Sequence, residues 1–270
     1  MKKYFKNFYK YRFLFGEIVR KNIKLQYRNS VLGMFWTFLQ PLLTMIVLAF
    51  LFGNIFGHDE SKVLNYPVYL LCGRLLYEFY SQATKRAMRS IRNSASVIKK
   101  VYVPKYIYPM ANVTSNFITF LISLLVLVFV MGYYLIFTDT AMRLTPYIFL
   151  SFVPIIILFV LCVGVGMILC TMEVFFKDVE YMYEVFCMLL FYATPIFYDV
   201  ETLRITNKYA QYALMANPLY SIVSMFRDCV LFGRAMNPHH IIYSAVFSIV
   251  MLLIGVLVFY KKQDDFILHI

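Results

Sequence analysis

The chain has 270 residues, 61% of them hydrophobic and 19% aromatic, with a mean hydropathy of +0.69; soluble domains hold an apolar share of roughly 45–50%, so a soluble globular protein is excluded. A formal net charge of +12 would suit nucleic acid, but of the 26 Lys and Arg nine lie in residues 1–28 and seven in 85–105, beside apolar runs. That placement belongs to membrane topology and lipid headgroup contact, and it excludes nucleic acid as a partner.

The first 30 residues are basic. Placed at 100° per residue from Phe8, the side chains of Lys6, Lys10, Glu17, Lys21, Lys24 and Arg28 gather opposite Phe8, Tyr11, Phe15 and Val19. Residues 1–30 therefore read as an amphipathic helix in the cytoplasmic headgroup layer, apolar side down, with Arg12 on the wrong side and its stem snorkelling. The apolar run that follows is too long for a signal-peptide core and lacks a small-residue cleavage pattern. Residues 36–56, 21 in a row without a charge, match the roughly 20 needed to cross a bilayer and predict span one, kinked after Gln40 by Pro41. The outer loop after it sets Asp59 and Glu60 against Lys62. Residues 66–83 predict span two. Within it Arg74 and Glu78 stand four apart on one helical face, where they either neutralise each other or mark a polar path.

Residues 85–109 carry seven Lys/Arg and no acid, and the positive-inside rule makes them a cytoplasmic loop. Residues 110–137 return outward as span three. Residues 146–172 form span four, where Gly164 and Gly166 permit close helix packing. A short, mildly acidic inner turn, TMEVFFKDVE, leads to span five at 179–197, with Glu180 and Glu184 on one face near its inner end and Pro195 breaking its outer end. No basic partner for these two carboxylates is evident, and they read as contacts to another protein. The outer segment 199–240 holds two apolar stretches, 209–216 and 218–232, split by Asn217 and Pro218 and too short to span. Each is expected to dip into the outer leaflet as a short re-entrant helix. Residues 241–260 are span six, and KKQDDFILHI is a cytoplasmic tail. The expected fold is a single all-α membrane domain of six spans with both termini inside, 19 Lys/Arg falling inside against six outside.

The five cysteines and four histidines show no metal-ligand spacing, and no metal is assigned. There is no Gly-rich phosphate loop, no Walker pattern and no HExxH, so the chain has no ATP site of its own and no cofactor. Uphill transport would then need a partner or an ion gradient. Arg74 and Glu78 are the only ionisable candidates well within spans, too few for a proton relay, which favours a partner. The 23 Tyr and 27 Phe, dense in FYATPIFYD and YEVFCMLLFY, suit either a glycan passage or interfacial belts.

Four stretches carry a resemblance: YRNSVLGMFWTFLQPLLTMIVLAFLFG, the loop NSASVIKKVYVPKYIYP, FFKDVEYMYEV leading to ATPIFY, and NPLYSIVSMFRDCVLFG. Together, over essentially the whole chain, they resemble the membrane subunit of ABC-2 type exporters, most closely the polysaccharide branch that serves O-antigen, teichoic acid and capsule. The resemblance implies a homodimer with two copies of a separate ATPase subunit, which holds the ATP and magnesium, in a bacterial cytoplasmic membrane. It implies a coupling helix docked on that ATPase, here Asn93, Ser94, Ala95, Ser96, Val97, Ile98, Lys99 and Lys100. Spans one, two and five would line the channel, with Trp36, Arg74, Glu78, Tyr181, Tyr192, Phe197 and Tyr198 as candidates to meet a lipid-linked polysaccharide, and residues 199–240 would cap it. A drug or small-lipid exporter of the same fold is the alternative. A membrane enzyme acting on lipid-linked sugars fits less well, since glycosyl chemistry leans on paired carboxylates at the reacting bond.

Overall fold

The computed structural model describes residues 2–28, 30–55, 65–101, 103–137, 145–198 and 214–269. Among the described residues every regular element is helical. In chain order they are α1 (Lys2–Gln26), α2 (Trp36–Ile55), α3 (Tyr66–Met88), the short α4 (Ser90–Asn93) and α5 (Ala95–Ile98), α6 (Ile107–Phe137), α7 (Phe152–Phe175), α8 (Val179–Ala193), α9 (Pro218–Val230), α10 (Pro238–Lys262) and the short α11 (Phe266–His269). Single 3-10 turns, Gly33–Phe35 and Pro146–Ser151, lead into α2 and α7. The outer loop with Asp59, Glu60 and Lys62, and residues 199–213 of the expected cap, lie outside the described residues.

Among the described residues four segments are long and apolar enough to cross a membrane: Gly33–Leu51, Ile107–Phe137, Pro146–Phe175 and Pro238–Lys262. They correspond to expected spans one, three, four and six. The other two differ for separate reasons. Helix α3 is long enough but carries Arg74, Glu78, Lys85 and Arg86. Helix α8 has 15 residues, about 22 Å of rise against a hydrocarbon core of about 30 Å. The expected span to residue 197 thus stops being helical at Ala193. Thr194 turns extended ahead of Pro195, as a residue before proline prefers.

Helix α3 sits at the centre, packed on α6 and α7 and touching α2, α8 and α9. Its apolar side chains, among them Leu70, Leu71, Leu75, Leu76 and Met88, are buried on several sides. Its polar ones, Arg74, Glu78, Ser81, Gln82 and Lys85, are only partly buried and follow one helical stripe. That stripe is why a central helix has so little net hydropathy.

The tightest pairing is α7 on α10. A methyl group at Gly164 would stand 2.5 Å from Leu252 N, one at Gly255 would meet Gly164 O, and one at Gly166 would stand 2.8 Å from Ala87 Cβ. Small residues here let backbones touch, as expected for Gly164 and Gly166. In α2, Pro41 has no N–H for the Thr37 carbonyl, and Ser123 Oγ of α6 donates to that oxygen instead at 3.3 Å. Helices α9 and α10 start alike: Asn217 and Asn237 cap them by accepting from the backbone N–H two residues on, each at 3.0 Å, with proline in the first position.

Helix α1 has the expected two sides. Val19 is buried and Tyr11 and Phe15 half-buried, while Lys10, Glu17, Lys21, Lys24 and Arg28 are exposed. The apolar side meets α6. The Arg12 guanidinium stands 4.2 Å from the centre of the Tyr9 ring. At the other terminus the tail folds back: Phe266 is buried against Phe175 and Phe259, and Lys105 Nζ donates to Gln263 O.

Candidate functional site

Three features lie along the α3–α8 side of the bundle. The first is an open groove of about 350 Å³ between these helices, lined by Arg74, Tyr77, Glu78, Ser81, Gln82 and Lys85 from α3 and by Glu184, Cys187, Met188 and Phe191 from α8. Arg74 Nε stands 3.9 Å from Glu78 Oε2, a loose pair, and Gln82 Nε2 donates to Glu78 Oε1 at 3.0 Å. The Phe191 and Tyr77 rings meet at 4.9 Å. Charged and amide groups beside aromatic rings can bond hydroxyls and stack on sugar faces. On the other flank of α3 a second pocket of about 70 Å³, with room for a few waters, collects Gln26, Trp36, Gln40, Asn116 and again Glu78 and Gln82.

Of the expected substrate residues, Arg74 and Glu78 therefore line the groove and Trp36 the second pocket. Tyr181 and Tyr192 project from the exposed side of α8. Phe197 is buried edge-on to Phe191, with ring centres 5.0 Å apart. Tyr198 donates from its hydroxyl to Tyr192 O at 3.2 Å.

The second feature is the bend at 194–198, whose backbone carbonyls cannot bond each other as in a helix. Arg227 Nη1 of α9 donates to Pro195 O at 2.6 Å and its Nη2 to Ile196 O at 3.0 Å and Tyr69 O at 3.1 Å. The Tyr66 and Tyr69 hydroxyls donate to Phe197 O and Tyr198 O, each at 3.0 Å. Asn217 Nδ2 donates to Thr194 Oγ1 at 3.0 Å. Four successive carbonyls are thus satisfied by side chains, as buried backbone oxygens outside regular structure require. The Arg227 guanidinium lies 3.4 Å from the Tyr69 ring centre, and a methyl group at Gly73 would stand 2.6 Å from Arg227 Nη2.

The third feature is the basic loop. Instead of one helix it forms α4 and α5, broken at Ser94, followed by a turn at Lys99 and Lys100. Asn93, Ser96, Val97, Lys99 and Lys100 are exposed, Ser94 and Ala95 half-buried, and Ile98 is buried as the anchor. Ahead of Asn93, two arginines of the same loop hold the α7–α8 turn. Arg89 Nη2 lies 2.8 Å from Glu180 Oε1 and 3.0 Å from Glu184 Oε1, and Arg92 donates from Nη2 to Glu180 Oε2 at 2.6 Å. Arg92 Nη1 also stands 2.8 Å from Glu173 Oε1, a contact of charge rather than an aligned hydrogen bond. Glu180, foremost, and then Glu173 hold the Arg92 guanidinium above its ordinary pKa. Glu180 and Glu184, expected to lack basic partners, are paired. The sequence puts both loops on the cytoplasmic side, but nothing in either loop fixes their juxtaposition.

The sequence of this bundle matches the model of the ABC-2 type transporter family over residues 14–231. The chain belongs to that family. The ABC-2 match takes in the groove, the bend and the basic loop and ends at Leu231, ahead of α10. Individual relatives align further. The O-antigen export system permease protein RfbA of Klebsiella pneumoniae is 27% identical over 252 residues, 92% of each chain. Its namesake in Myxococcus xanthus is 26% identical over 260 residues, 96% of this chain and 95% of its own. The polysialic acid transport protein KpsM of Escherichia coli is 23% identical over 252 residues, 91% of each.

Proposed function

We propose that this ABC-2 protein is the membrane-spanning permease subunit of an ATP-driven exporter that moves lipid-linked polysaccharide from the inner to the outer side of a bacterial cytoplasmic membrane. The observation that carries the reading is the end-to-end likeness to O-antigen and polysialic acid transport proteins, over more than nine-tenths of the chain. The groove supports it, because a stripe of Arg, Glu, Gln, Ser and Lys beside Tyr77 and Phe191 offers hydrogen bonds and rings to a hydroxylated polymer.

In this reading α3 and α8 complete six spans, α8 with the pinned bend beyond it. The subunit hydrolyses nothing. A separate ATPase binds ATP and magnesium and docks on the exposed residues within Asn93–Lys100. Two copies of the permease pair so that their α3–α8 grooves face a shared path, with α9 and the segment before it as the outer cap.

The test is depletion of the protein in its host, followed by analysis of lipid-linked glycan on each leaflet. Full-length polymer accumulating on the cytoplasmic face is the expected result, and its composition names the substrate. Unchanged glycan on both faces would overturn polysaccharide export and point to a drug or small lipid. Short, incomplete chains would indicate an enzyme.

A further inference from the structure

The two arginines ahead of the docking segment stand in different surroundings. Arg92 reaches Glu180 and Glu173, and the Glu173 side chain is 0% exposed. Arg89 reaches Glu180 and Glu184, and the Arg89 and Glu184 side chains are 36% and 48% exposed. Parting a pair with a buried member strands a charge away from water and is strongly resisted. Parting two exposed groups is easy and easier still in salt.

Position along the helices adds direction. Arg89 joins α3 to α4, and Glu184 is both its partner and part of the groove lining. The Arg89–Glu184 contact therefore bridges the two walls of the groove at its cytoplasmic mouth. Glu173 is in the last turn of α7 and Glu180 in the first turn of α8, so Arg92 ties the docking segment to both sides of the intervening turn.

We propose that the cluster is a joint with two jobs. Arg92, with Glu173 and Glu180, is a permanent anchor that makes the docking segment and the α7–α8 turn move as one body. Arg89, with Glu184, is a releasable clasp that holds α3 to α8 at the inner mouth of the groove and parts when the docking segment moves. Both arginines act through other groups and are positioning residues. The inference rests on the reading of the chain as an ATP-coupled permease.

The experiment uses the permease in complex with its ATPase subunit and reads ATP hydrolysis with and without lipid-linked glycan, together with polymer delivered to the cell surface. Arg92→Gln keeps hydrolysis but lowers export about tenfold, and Arg92→Lys recovers most of the loss. Arg89→Gln and Glu184→Gln each raise hydrolysis in the absence of glycan, and Arg89→Gln, which lies outside the groove lining, leaves export within about threefold of the parent. The double variant goes no further than Arg89→Gln alone, because the Arg89–Glu184 contact is already lost in that single variant. Should Arg92→Gln lower the yield of complex, Glu173→Gln, which leaves both arginines their Glu180 contacts, shows the export loss at normal yield. Parental export from both Arg92→Gln and Glu173→Gln, or additive effects of Arg89→Gln and Glu184→Gln on hydrolysis, would overturn the proposal. A parental chain that binds no ATPase would remove the coupling reading itself, and this joint with it.

Discussion

Arg227 is 4% exposed, and a buried guanidinium persists only where its donors are used. Here it serves the carbonyls of Pro195, Ile196 and Tyr69, three acceptors from two distant parts of the chain. Each carbonyl left unsatisfied costs about 1–3 kcal/mol. Arg227→Gln, too short to reach all three, is therefore expected to lower the thermal midpoint of the purified protein by several degrees, whereas Arg20→Gln, exposed on α1 beside the exposed Glu17, is expected to shift it little. An equal effect of the two would show that the bend holds without Arg227. From sequence Arg227 is one of the six outer charges, and nothing there ties it to the bend. Its acceptors are backbone oxygens 31 or more residues away, and backbone acceptors leave no trace in side-chain pattern. Arg74 and Glu78 were legible because their partner lies one turn away.

At the scale of the element, apolar length was readable and interhelical chemistry was not. Spans one, three, four and six follow from composition, and Asn217 with Pro218 divides two short apolar stretches at the start of α9. The Gly164–Gly255 approach was half legible. Gly164 stood out inside an apolar run, but its counterpart on α10 depended on which helices meet. Since a methyl group at Gly255 would strike the Gly164 carbonyl, with backbone on both sides and no side chain to swing away, Gly255→Leu should separate α7 from α10. The expected outcome is a marked fall in folded protein recovered from membranes. Gly132→Ala in α6, where the added methyl group would meet nothing within 4 Å, is expected to leave recovery unchanged. Comparable recovery of the two variants would refute this account of the packing.

For the whole molecule, the groove poses a problem that one copy does not solve. Arg74, Glu78, Lys85 and Glu184 line an open cleft, and a charge presented to hydrocarbon costs about 2.5–3.5 kcal/mol at the bilayer centre even on lenient scales. Beside it α8 exposes Tyr181, Val185, Met188 and Tyr192, spaced to form one face. Lipid can cover that apolar face but not the charged groove; in the proposed pairing, with α3 and α8 as spans, two copies roof the groove and bring their α8 faces near each other. All five native cysteines are buried, which leaves a quiet background for cross-linking. Cysteine introduced singly at Val185, Met188 or Tyr192 should, with a short bifunctional maleimide in native membranes, give a band of twice the chain's mass at one or more positions. Cysteine at Val128, exposed on α6, should not. Dimer bands from α6 and none from α8 would place the partner on the opposite side of the bundle and leave the groove without its roof.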